Sequence, residues 1–113
     1  MTAGRYDILC VADEDLEVEW TVYNPDGELA NLNSWQSRMQ VRETVSAETV
    51  TLDCSTTNGR IVHSVADGTI TLSLSSSTIA EISSGDYVYD LELYTTTGAD
   101  RVLRLVEGFF KVS

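Results

Sequence analysis

This sequence predicts an all-β chain folded as one antiparallel β-sandwich with one short helical turn. Three observations carry that expectation. Apolar and polar residues alternate with a period of two through most of the apolar stretches. Turn residues recur at roughly ten-residue spacing, and no stretch keeps the period of a long helix. The 113 residues suit a single domain over 1–113, large enough to bury a core without disulfide or metal staples. A hydrophobic content of 42% is that of a folded chain.

The elements follow in order. Residues 6–11 form the first candidate strand, before the acidic patch Asp13-Glu14-Asp15. In the next, Leu16, Val18, Trp20 and Val22 alternate with Glu17, Glu19, Thr21 and Tyr23, so one face is apolar and the other faces water. Asn24-Pro25-Asp26-Gly27 closes it as a turn, with proline fixing the backbone at the second position. Trp35, Ser37, Met39 and Val41 then oppose Gln36, Arg38, Gln40 and Arg42 on a third strand. Residues 49–54 point Val50, Leu52 and Cys54 inward, and Asn58-Gly59 turns the chain into 60–63. Asp67-Gly68 repeats that punctuation before Thr69–Leu74.

Residues 75–84 break the alternation. Serine and threonine stand ready to cap a helix before Ile79, Ala80 and Ile82, so a single helical turn is expected there. After Gly85 comes the strongest strand signal, with Tyr87, Tyr89, Leu91 and Leu93 on one face and Val88, Asp90, Glu92 and Tyr94 on the other. A turn over 95–98 leads to a strand at 101–106. Glu107-Gly108 is expected to be a bulge before a last strand at 109–112. Seven to nine short strands, most with one apolar and one polar face, favour an immunoglobulin-like sandwich over a small barrel.

Charge and motifs narrow the function. Seven basic residues against eighteen acidic leave a net charge of −11, which opposes nonspecific attraction to nucleic-acid phosphates. The first residues lack the basic and apolar regions of a secretory signal, and no segment has the length to span a bilayer. Two cysteines do not make a disulfide framework, and Cys54 shares its strand parity with Leu52, so a buried free thiol is expected. His63 is the lone histidine and is expected at the surface or rim. No Cys or second His stands at metal-ligand spacing to it. Nucleophile-elbow, phosphate-loop and dinucleotide patterns are absent. No catalytic residue, metal ligand or cofactor is therefore expected. Trp20, Trp35, Tyr87 and Tyr89 have core parity, whereas Tyr23 and Tyr94 point outward and suit an interface or a sugar-binding surface.

A further pattern spans nearly the whole chain: Leu32; Arg38-Met39-Gln40-Val41-Arg42-Glu43; Asn58-Gly59-Arg60-Ile61; Asp67-Gly68-Thr69-Ile70-Thr71-Leu72; Gly85-Asp86-Tyr87-Val88-Tyr89-Asp90-Leu91-Glu92-Leu93; and Leu105-Val106-Glu107-Gly108. This set resembles a family of short tailed-bacteriophage virion proteins and is similar to the amino-terminal domain of phage baseplate upper proteins. The resemblance implies a non-enzymatic structural protein made in the host cytoplasm and present in several copies in the virion. Its role there would be a tail, neck or baseplate adaptor that docks fibres or neighbouring virion proteins. Baseplate upper proteins continue past this module into a stalk or receptor-binding part, and this sequence closes at Ser113. An adaptor role would then be complete within one domain or use a separate fibre protein. A capsid decoration protein and a carbohydrate-binding sandwich are the alternatives. Partners are expected to be other virion proteins, with no nucleic acid and no membrane. The candidate interface residues are Tyr23, Arg38, Arg42, Tyr94 and Phe109, and the terminal strands at 6–11 and 109–112 are candidate edge contacts.

Overall fold

Each alternating segment becomes a strand because its apolar row can be buried only against a second layer. The computed structural model describes residues 4–95 and 101–113. β1 (Gly4–Arg5) and β2 (Ile8–Cys10) run parallel to β9 (Val102–Val112). β9 pairs antiparallel with β8 (Gly85–Thr95), β8 with β4 (Trp35–Arg42), and β4 with β5 (Leu52–Ser55). The facing sheet is β3 (Leu16–Thr21), β7 (Thr69–Leu74) and β6 (Ile61–Ser64), in that order and antiparallel throughout. α1 (Ser76–Ala80) joins the two sheets, and the Ser75 side chain accepts from the Thr78 N–H as its N-cap.

The order β9–β8–β4–β5 over β3–β7–β6 matches the G–F–C–C′ and B–E–D strands of an immunoglobulin domain. The chain is an immunoglobulin-like β-sandwich. A side-chain bond at the α1 corner marks the same architecture: at the start of β8 the Tyr87 hydroxyl donates to the Ser83 carbonyl at 2.6 Å, the tyrosine corner of that fold. Two residues on, where antibody domains have the second cysteine of their inter-sheet disulfide, stands Tyr89, whose hydroxyl donates to the Tyr6 carbonyl. Cys10 and Cys54 lie on β2 and β5 instead, both buried and both free. Burial pushes the Cys10 thiol up to about 11 and is the largest cause raising Cys54 to about 12, so both pack as apolar groups. Replacing Tyr87 by phenylalanine is expected to cost about 1–2 kcal/mol, because the Ser83 carbonyl loses its donor. Urea unfolding of Tyr87→Phe beside the wild type measures this, and an unchanged midpoint would rule out a stabilising corner.

The core lies between the sheets. Met39 and Val41 of β4 meet Tyr87, Tyr89, Leu91 and Leu93 of β8, Ile8 and Cys10 of β2, and Phe110 of β9. Ile70, Leu72 and Leu74 of β7, with Ile61 of β6, close it from the other side. Trp20 and Trp35 are only partly buried, against the edges of this cluster.

Three expectations need correction. The first strand is not continuous: β1 and β2 are separated at Tyr6 and Asp7. The last two strands are one, because β9 runs straight through Gly108, which sits opposite Tyr89. The irregularity falls instead between Leu91 and Glu92 of β8, where Val106 and Arg104 are their partners and Leu105 is the extra residue. Gly108 answers a close approach: a Cβ there would lie 2.3 Å from the Tyr6 carbonyl oxygen. Finally, 109–112 is not an edge, since it lies between β2 and β8. β1 and β2 do form an edge, as expected for 6–11. Of the turn expected at 95–98, residues 96–98 lie outside the described residues.

Candidate functional site

Among the described residues one hydroxyl pairs with the imidazole. Ser37 Oγ and His63 Nε2 are 2.5 Å apart, joining β4 of one sheet to β6 of the other. Ser37 is 0% exposed, so no substrate reaches it, and the pair acts as a polar tie between the layers. His63 is thus half-buried at the rim, on the edge strand of the smaller sheet. Burial holds its imidazole below the ordinary 6.5. The unfolded chain therefore takes up this proton at a higher pH than the folded one. The stability contributed by the neutral ring is complete above the unfolded value and is lost as pH falls through it towards the folded value. His63→Gln is expected to flatten the fall in stability between about pH 7.5 and 5.5. An identical pH slope in the two proteins would show that His63 is not its source.

The outer face of the larger sheet gathers chemistry of another kind. Strand register turns Gln36, Arg38, Gln40 and Arg42 of β4 outward beside Tyr94, Glu92, Asp90 and Val88 of β8. Beyond them β9 presents Arg104, Glu107, Phe109 and Lys111, and β1 adds Arg5 opposite Glu107. Cross-strand partners hold these side chains in place. Arg38 pairs with Glu92 at 3.4 Å and lies over the Tyr94 ring at 4.7 Å, while the Tyr94 hydroxyl donates to Gln36 Oε1 at 3.1 Å. Arg104 pairs with Asp90 at 3.4 Å. The Phe109 ring lies between two cations, Arg5 at 5.0 Å and Lys111 at 5.7 Å. These partly exposed ion pairs add little stability, but they orient the groups that they join.

Arg42 is the exception. Its Nη2 donates to Gln40 Oε1 at 2.6 Å, its Nε is covered without a partner, and no carboxylate among the described residues lies within ion-pair distance. Nearby, the Asp90 carboxyl is held above its ordinary value, chiefly by burial and then by Glu92, with Arg104 and Arg42 opposing. Arg42 flanks a hollow of about 340 Å³ on this face, lined also by Arg5, Arg104, Val45, Val88 and Phe109.

Arg38, Arg42, Tyr94 and Phe109, four of the five residues singled out from sequence, are thus brought onto one surface. Tyr23 is not among them. It is 58% exposed and bridges Leu29 across the turn that follows β3. Neither Tyr23 nor Tyr94 lines the hollow. Arg5, Arg104 and Val88 were missed. Val88 was legible from its outward parity, whereas Arg5 and Arg104 needed the pairing of β9 with β1 and β8. Among the described residues no cluster of three or more His, Cys, Asp or Glu is placed to hold a metal ion, and no helix is long and apolar enough to cross a membrane.

No protein-family model and no curated protein matches the sequence. Among solved structures, murine CRIg is similar at 14% identity with a TM-score of 0.48, over 95% of this chain and 92% of that one. The fold assignment rests on the strand order and register described above.

Proposed function

We propose that the protein is a non-enzymatic structural component of a tailed-phage particle, an adaptor at the tail, neck or baseplate whose docking surface is the outer face of the larger sheet. One observation supports the docking surface above the others. The outward positions of this sheet set five cations, Arg5, Arg38, Arg42, Arg104 and Lys111, among five carboxylates, Asp53, Asp86, Asp90, Glu92 and Glu107, and Asp7 at the sheet edge adds a sixth, 3.5 Å from Arg5. With five cations against six carboxylates this face is close to neutral, in a chain whose net charge is −11. A protein that repels most acidic surfaces has one face where a neighbour can approach without that penalty. The face is also rich in arginine and aromatic side chains, the composition of interface cores.

The particle setting rests on the sequence resemblance. Its most continuous stretches, 38–43 and 85–93, supply most of β4 and β8, the strands at the centre of this face. A rigid sandwich whose Ser37 hydroxyl, bonded to His63, is fully buried suits assembly rather than catalysis. Electron cryomicroscopy of the intact particle tests the reading. Density at the tail, neck or baseplate, with β4 and β8 against a neighbour, is the expected result. Density on the capsid shell would favour decoration, and absence from the particle would overturn the virion role.

A further inference from the structure

Charge is distributed on this face strand by strand. β4 turns out Arg38 and Arg42 with two glutamines and no carboxylate, whereas its neighbour β8 turns out Asp86, Asp90 and Glu92 and no cation. A basic row therefore lies directly beside an acidic one, at strand spacing of roughly 5 Å. Such a pair of rows is complementary to itself. A twofold axis running between β4 and β8, along the plane of the face, lays the basic row of one copy over the acidic row of the next and the reverse.

We propose that the occupant of this surface is a second copy of the same chain, paired face to face about that axis. The inference deepens the docking reading above and rests on it. Three features point to a second copy. Two molecules of net charge −11 repel each other, and the outer face of the larger sheet, with five cations among six carboxylates, is where that repulsion is least. Arg42, which has no carboxylate of the described residues within ion-pair distance, gains the acidic row of β8 from the mate. The exposed Phe109 and the Val88 and Val45 side chains beside the hollow supply apolar surface next to those charges. The outer face of the smaller sheet offers no such match, because β3 turns out Glu17 and Glu19 beside Thr71 and Ser73 of β7, without a cation.

Sedimentation velocity of the purified chain at about 0.15 M salt tests the pairing, with dissociation in roughly the micromolar range that a face of this size allows. Arg42→Glu is expected to weaken the dimer at least tenfold, since symmetry removes the contact twice. Combining Arg42→Glu with Asp90→Arg is expected to restore much of the loss. Thermal unfolding of each variant verifies that the fold is intact. A chain that stays monomeric up to about 1 mM overturns the proposal, and so does a dimer that Arg42→Glu leaves unchanged. Both results concern only the second copy. Whether this face docks in the particle is read independently from the particle density, so a solution monomer with β4 and β8 against another virion protein would retain the adaptor role and discard the self-pairing.

Discussion

Replacing Gly108 by alanine is expected to destabilise the protein by about 3 kcal/mol or more, the upper range for overpacking a tight site. A Cβ at this position meets the Tyr6 carbonyl oxygen at 2.3 Å and Asp7 Oδ1 at 2.9 Å. The nearest obstacle is backbone, so no rotamer change relieves it. The segment that would have to move is tied down on both sides: Tyr6 N–H donates to the Glu107 carbonyl at 3.1 Å, and Phe109 N–H donates to Asp7 Oδ1 at 3.0 Å. Shifting it also removes the acceptor of the Tyr89 hydroxyl and exposes Ile8 and Cys10, which are 1% and 2% exposed in the intact sandwich. With a urea slope of about 1–3 kcal/mol per molar, the unfolding midpoint should fall by about 1 M or more. A Gly108→Ala protein within about 1 kcal/mol of the wild type would show that β1 and β2 yield easily and that the close approach does not constrain β9.

Adjacent phenylalanines in β9 are expected to respond in opposite ways. Phe110 is 0% exposed in the core, so Phe110→Ala should cost about 3–5 kcal/mol through lost burial and the cavity left behind. Phe109, at 41% exposed on the outer face, has its ring against Arg5 and Lys111 rather than in the core. Phe109→Ala should change stability by less than about 1 kcal/mol while weakening association at the face. Chemical denaturation and sedimentation of both variants separate these effects. Equal losses of stability at the two positions would contradict the assignment of one side chain to the core and the other to the surface.

Most of the strands were legible because their period is short and their punctuation is local. Trp35–Arg42 and Thr69–Leu74 coincide with β4 and β7 as expected, and the capped turn after Ser75 is α1. The misjudged places share one cause. An isolated glycine before 109 signals a bulge, a bend or a close approach equally well, and only the path of Tyr6 across Gly108 selects the third. The true irregularity, at Leu105, has no glycine to mark it because it is set by how β8 and β9 pair. His63 sits at the rim, as expected, but its bond to Ser37, 26 residues away on the facing sheet, is not legible from local pattern.

The candidate surface divides along the same line. Alternation by itself determined that Arg38 and Arg42 share one side of their strand and that Tyr94 shares a side with Asp90 and Glu92, because side-chain direction within a strand depends only on parity. That the basic row lies beside the acidic row, that Arg104 reaches Asp90, that Phe109 sits between Arg5 and Lys111, and that Tyr23 belongs elsewhere were decided by tertiary structure. Those relations depend on which strands become neighbours and in what register. Long-range burial of the two apolar faces selects both, and local residue patterns do not encode the choice.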